Sequence, residues 1–314
     1  MNEYPRTEMY RSRPIRGKYI KGIRYSHSDH SLIDLAVYED GVLRLDYDYM
    51  DLDMVKEAIM SGQLTPIIPA GSSFYSMHLG GWTIEKAHWL YNKSNYCDFI
   101  VSVVQSMNPQ LENLFRANGK LRNPVGNISY GSFTDNERMV RSDGPNTGIR
   151  QTYGIRHSYL YKISLGEYWF CSLDVFSDSK ILIYGTGERL VVTQDEVAHL
   201  VETGVLVSRI PAGSTIRIED LGQITISKEN YGVDVREKLK EIPDTIARLN
   251  DQPTLQMICY KAYEEYNKDP TAENKERLRA AYENVPAHKR IYVLADQDLK
   301  DGPICEILGI RRWQ

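Results

Sequence analysis

Three groups of residues have side chains and spacing that could do chemistry. Asp296, Asp298 and Asp301, with Lys300 among them, follow directly on the apolar run 290–295. Carboxylates so spaced at the end of an expected strand could hold a divalent cation through oxygen ligands, and such a cation bridges phosphate oxygens in phosphoryl chemistry. The spacing departs from a calcium loop, since Lys300 stands at its fifth position and no glutamate at its twelfth, so a solvated acidic turn is the simpler reading. His27, Asp29 and His30 could bind a transition metal, but a single turn supplies all three, and a polar hairpin tip accounts for them as well. The third group occurs twice: Ile-Pro-Ala-Gly-Ser at 68–72 and again at 210–214. Amides in such a turn can form an anion nest, with Ser72 or Ser214 adding a hydroxyl. Turn geometry explains the repetition more simply, because glycine accepts a positive φ.

Residues 119–157 contain six glycines, and Lys120, Arg122, Arg138, Arg141, Arg150 and Arg156 outnumber Asp135, Glu137 and Asp143. Such a stretch is either a linker or a binding loop; in the second case Arg138 and Arg141 are candidates to hold a phosphate. No nucleophile elbow, phosphate-binding P-loop, zinc-protease helix or dinucleotide fingerprint occurs. Gly185-Thr186-Gly187 lacks the rest of a fingerprint and reads as a hairpin loop.

The elements that position these groups are organised by a duplication. Windows 51–84 and 193–226 agree at 13 of 34 positions with a constant offset of 142, where unrelated chains would share roughly two. In each window an N-cap residue opens an amphipathic helix: Asp51 in the first, and Thr193 with Glu196 at capping-box spacing in the second. Gly62 and Gly204 stand where a left-handed C-cap belongs. Ahead of the helices, 18–47 and 159–184 read as meanders of about three antiparallel strands at offset 138, with Asp40-Gly41 as a hairpin turn. Four extra residues therefore enter the second copy before its helix. After the helices, each window continues into two short strands around Leu-Gly.

The fold expected is α+β: two tandem repeats, each a strand meander, a helix and a short hairpin, with a mainly helical C-terminal region. The units are a basic arm (1–17), repeat 1 with following helices at 95–107 and 109–117 (18–118), the glycine-rich segment (119–157), repeat 2 (158–228) and the C-terminal region (229–314). That region contains helices at 234–250, 254–267 and 271–284, a strand at 290–295 and the acidic turn. Tyr260, Tyr263 and Tyr266 are expected to pack that region against the repeats.

A net charge of −4 argues against a nucleic-acid footprint spread over the chain. The four cysteines lie far apart with no C-x-x-C pair, so reduced thiols in a cytoplasmic protein are expected. The N-terminus lacks the apolar core of a signal peptide, and no run of eighteen apolar residues points to a membrane. Twenty-two tyrosines against six phenylalanines suit contact surfaces with a polar tip. These features favour a non-enzymatic binding or protein-interaction protein using the cleft between repeats. Its partner would be another chain or a second copy rather than nucleic acid, as for an accessory or immunity-type partner in a bacterial conflict system. The alternative is a metal-dependent enzyme acting on a nucleotide or other small phosphorylated molecule, with Asp296, Asp298 and Asp301 around a divalent cation.

Overall fold

The computed structural model describes residues 17–45, 48–112, 114–116, 154–294 and 300–310. The first copy runs β1 (Gly17–Ser26), β2 (Asp29–Tyr38), β3 (Leu43–Leu45), β4 (Asp48–Met50), α1 (Leu52–Ser61), β5 (Leu64–Thr65), β6 (Ser73–Ser76) and β7 (Gly80–Trp89), then α2 (Lys93–Met107). The second repeats that order as β8 (Gly154–Ser164), β9 (Glu167–Phe176), β10 (Ile181–Tyr184), β11 (Leu190–Val192), α3 (Gln194–Glu202), β12 (Leu206–Val207), β13 (Thr215–Ile218) and β14 (Gly222–Gly232), then α4 (Val235–Leu239). The class is α+β with a duplicated unit. Residues 185–189, between β10 and β11, absorb the change of offset.

The expected caps form. Asp51 Oδ1 accepts the Met54 amide at 2.8 Å, and Thr193 and Glu196 close a capping box. Each meander has four strands rather than three. The fourth, β4 or β11, is three residues long and pairs only with the strand before it, too short for alternation to announce.

Along one edge β2 is shared. Its first half pairs in parallel with β6, and its second half pairs antiparallel with β3. β9 treats β13 and β10 in the same way. The copies join where β7 and β14 pair antiparallel, and the seam is closed at both ends by equivalent bonds, Leu90 N–H to Leu221 O (2.9 Å) and Val233 N–H to Leu79 O (3.0 Å). One 14-stranded sheet results among the described residues.

A shared core holds the copies together: Leu35, Val37, Trp82 and Ile84 of the first lie in one buried cluster with Phe170, Ile216 and Ile226 of the second. Each such side chain contributes about 1.5–3 kcal/mol by leaving water. A second cluster, with Leu173, Val175, Val197 and Ile242, packs β9 against α3 and α5 (Glu241–Leu249). The C-terminal unit comprises α6 (Leu255–Lys268), α7 (Ala272–Asn284), a 3-10 helix (Ala287–Tyr292) and α8 (Gly302–Leu308), and has its own core of Cys259, Leu278, Tyr282 and Ile304. All four cysteines are free thiols, three of them buried. Among the described residues no helix is long and apolar enough to cross a membrane.

Several expectations need correction. β8 is already under way at Gly154, ahead of the start expected at 158, and the core of the second copy extends through α5, so the C-terminal unit starts near 254 rather than at 229. The helix expected at 234–250 is two, α4 and α5, meeting at Lys240. Described residues in 109–117 are not helical: Leu111 has φ 51°, Asn108 Nδ2 donates to the Glu39 and Glu112 carbonyls, and the Phe115 amide bonds Asp40 O. Where a strand was expected at 290–295, residues 290–292 end the 3-10 helix, closed by bonds such as Lys289 N–H to Pro286 O at 2.8 Å, 293–294 form a turn, and 295 lies outside the described residues. Tyr263 and Tyr266 pack into the core of the C-terminal unit, and Tyr260 is exposed.

Two glycines test how tightly the seam is specified. At Gly222 (φ 134°) an added Cβ would collide with the His88 carbonyl oxygen across the seam, whereas at Gly213 (φ 83°) it would enter open space. Gly222→Ala should therefore cost at least about 2 kcal/mol through strain and displaced backbone, and Gly213→Ala only about 1 kcal/mol through its dihedral. Denaturant midpoints measure both, and equal shifts would contradict the seam's close approach.

Candidate functional site

Where the first hairpin faces the second, the sequence places charges on otherwise apolar strands. Lys21 and Asp34 are cross-strand partners on β1–β2, and Arg156 and Asp174 on β8–β9. Lys21 Nζ bonds Asp34 Oδ1 at 2.8 Å and reaches across to the Ser172 hydroxyl at 2.9 Å. Arg156 holds Asp174 with two parallel bonds (2.6 and 2.8 Å), places Nη1 3.3 Å from Asp34, and lies 4.0 Å over the Tyr19 ring. Two cations and two carboxylates thus balance across the boundary between copies. Burial works against the Asp34 charge, but Lys21 and Arg156 outweigh it and hold the carboxyl below its ordinary range. Burial also pushes the Tyr19 phenol up to about 12, with Arg156 pulling the other way.

Tyr19, Asp34 and Arg156 of this cluster line one side of a cleft of about 690 Å³ between the copies, bounded by β1, β2, β8, the β6–β7 turn and the α4–α5 junction. Arg24 and Arg44 line it from the first copy, and His157, Lys238 and Glu241 from the second. Tyr19 and Tyr75 add aromatic surface.

Glu241 is the centre of a second charge cluster. Its carboxylate receives His157 Nδ1 at 3.1 Å, His288 Nε2 at 2.7 Å, Lys289 Nζ at 3.1 Å and Lys238 Nζ at 3.5 Å. Lys238 also donates to the His78 carbonyl at 2.9 Å, and the Thr245 hydroxyl meets His157 Nε2 at 2.9 Å. Burial alone would raise the Glu241 carboxyl, but the two imidazoles and two ammonium groups hold it far below the carboxylate range. Burial lowers the Lys238 ammonium and the His157 imidazole.

The residues singled out in the sequence fall elsewhere. Arg138, Arg141, Asp296 and Asp298 lie outside the described residues. Asp301 is buried in the C-terminal unit, where its carboxylate accepts the Tyr282 hydroxyl at 2.6 Å, and it does not line the cleft. Ser72 and Ser214 belong to matching turns whose amides are engaged. Gly71 N–H donates to Ile84 O and Ser72 N–H to Pro69 O, while Gly213 N–H donates to Ile226 O and Ser214 N–H to Pro211 O. The amides of an anion nest are thus held by the fold itself. His27 Nδ1 meets the Ser26 hydroxyl at 2.8 Å, and His30 lies against the Tyr25 ring. Among the described residues no three His, Cys, Asp or Glu side chains are placed to hold a metal. The cleft residues carry no motif. Their one visible signal is an aspartate set among the apolar residues of each of two corresponding strands, Asp34 in β2 and Asp174 in β9.

A duplicated α+β unit with a charged cleft at its internal boundary is the class that fold and site define. The family described as a domain of unknown function, DUF7638, matches residues 5–111 and 149–253, and the chain belongs to it. Residues 254–309 match a second, DUF7639, also described as a domain of unknown function. The boundary between the two coincides with the start of the C-terminal core. No curated protein and no solved structure matches the chain.

Asp34→Asn should leave Lys21 and Arg156 with one carboxylate fewer and cost about 3 kcal/mol, within the range for breaking a buried pair. Because the folded Asp34 carboxyl lies below the ordinary 3.8, its contribution is fully present above that pH and is lost as pH falls through the folded value. Acid unfolding of the two proteins followed by circular dichroism should therefore converge at low pH. A constant difference down to the acid limit would contradict the assignment.

Proposed function

We propose that the chain is a non-enzymatic binding protein whose ligand occupies the cleft between its two copies, and that the ligand is a small anion such as a phosphorylated molecule. The observation that carries this reading is the charge of the cleft wall. Four cationic side chains (Arg24, Arg44, Arg156 and Lys238) and two carboxylates (Asp34 and Glu241) converge on it. A concave site of this size with converging polar groups and aromatic surface is the usual form of a small-molecule site. Arginine suits phosphate and carboxylate through its planar fork of donors. The metal-dependent phosphoryl chemistry considered above would need Asp301 turned toward a cation, and its carboxylate is engaged with Tyr282.

Native mass spectrometry of gently purified protein, followed by calorimetric titration with inorganic phosphate, pyrophosphate and nucleoside monophosphates, tests the proposal. Arg44→Gln should weaken the best of these at least about tenfold, the scale of one charge-assisted hydrogen bond. Binding should also weaken with salt. Anion binding that is indifferent to Arg44→Gln and Arg24→Gln, or no binding by any of these anions, would sink the reading.

A further inference from the structure

The C-terminal unit meets the rest of the chain through charges rather than through a common core. Its apolar cluster is separate from the one beneath α3 and α5. Polar contacts join them. His288 and Lys289 meet Glu241, and the Ala287 amide donates to Glu237 Oε2 at 2.8 Å. Arg290 stands 3.9 Å from Glu237, Lys240 Nζ donates to the Glu283 carbonyl at 3.2 Å, and the Leu255 amide donates to Asp244 Oδ1 at 2.6 Å. Units joined by a polar interface move relative to each other by default, so what holds this one is the charge balance at Glu241.

We propose that the C-terminal unit is an acid-releasable clip, fastened to the second copy by the charge of Glu241 and let go when the buried His157 and His78 take up protons. This goes beyond ligand binding and does not depend on it. The groups facing Glu241 come from four places: His157 on β8, Lys238 on α4, His288 and Lys289 on the 3-10 helix, and His78 in the β6–β7 turn, whose ring lies 6.0 Å from that of His288. Glu237, bonded to Lys240 at 2.7 Å, flanks them. With both bonded imidazoles neutral, one carboxylate faces Lys238 and Lys289. A proton on His157, or on His78 beside the His288 ring, adds a further cation to a site that already holds two. A neutral His157 already satisfies both ring nitrogens, donating from Nδ1 to Glu241 and accepting from Thr245 at Nε2.

The sign of the pH dependence follows. Burial, with Lys238 and Lys289 beside it, keeps the closed His157 imidazole below its ordinary 6.5, although Glu241 pulls the other way. Burial lowers His78 as well. The open state binds more protons than the closed one, so opening is favoured as pH falls below about 6.5 toward the folded values. Lys238, Glu241, His157 and His78 also line the cleft, so the clip and the cleft share a wall.

Hydrogen exchange of the full chain, corrected for intrinsic rates, tests this at about pH 7.5 and about pH 5.5. Protection of the Ala287 and Leu255 amides should fall at least about tenfold at the lower pH while β9 amides such as Leu173 keep theirs. Glu241→Gln should expose the same two amides already at neutral pH, and a variant carrying His157→Gln and His78→Gln should lose the acid response. Protection of Ala287 and Leu255 that is unchanged by pH, or that disappears only together with that of β9, would overturn the proposal. The β9 amides report whether each variant is folded, and the wild-type comparison decides the matter without them.

Discussion

The antiparallel seam between β7 and β14 is the contact on which the rest of the molecule depends. Each copy ends its sheet with a long strand whose outer edge would otherwise present unpaired amides and carbonyls, a template for association with other chains. Pairing the two edges with each other removes both. It also sets an approximate two-fold relation, since the bonds that close the seam, Leu90 to Leu221 and Val233 to Leu79, are equivalent under exchange of copies. Everything outward from the seam is then built twice, down to a strand that divides one edge between a parallel and an antiparallel neighbour.

That relation brings the β1–β2 face of one copy to the β8–β9 face of the other, and a charged cleft arises at their meeting. Most of the contact is apolar and would be stable without charges. Lys21, Asp34, Arg156 and Asp174 are tolerated because each finds an opposite charge at 2.6–3.3 Å. A buried pair of this kind adds little net stability over an apolar replacement, while the loss of one partner is costly. Their contribution is therefore to registry and to the electrostatic character of the wall, which fits a site better than a scaffold.

How much of this was legible follows from the range of the interactions. The duplication, both helices with their caps, and the 68–72 and 210–214 turns depend on neighbours in sequence, and the residues stated them openly. The three-residue strands β4 and β11 were missed because such a segment cannot display a period. The 3-10 helix was read as a strand because a short apolar run serves either. The cleft was hidden for a different reason. Lys21 meets Ser172 across 151 positions and His157 meets Glu241 across 84, so no local spacing encodes the cluster. Asp301 makes the same point: its carboxylate accepts the hydroxyl of Tyr282, a partner 19 residues away that the spacing of the acidic turn does not reveal.

The two copies differ most where symmetry would make them alike, and the differences have a direction. At equivalent positions the first copy has Lys21 on its first strand and Tyr96 on its following helix, and the second has Tyr159 and Lys238. Both pairs keep one contact, a tyrosine hydroxyl donating to a lysine backbone carbonyl (2.8 and 3.2 Å), although the two residues have exchanged elements. In the first copy the helix goes on to Phe99, which stacks with Tyr91 at 4.7 Å. In the second the corresponding residue is Glu241, at the centre of the charge cluster. An aromatic stack at that place could pack only against more apolar surface. A buried carboxylate requires cations, and His288 and Lys289 of the C-terminal unit supply two of them. One side of the duplicated frame therefore receives that unit through charge, which is why it docks beside Glu241 and the cleft rather than at the aromatic stack of the first copy.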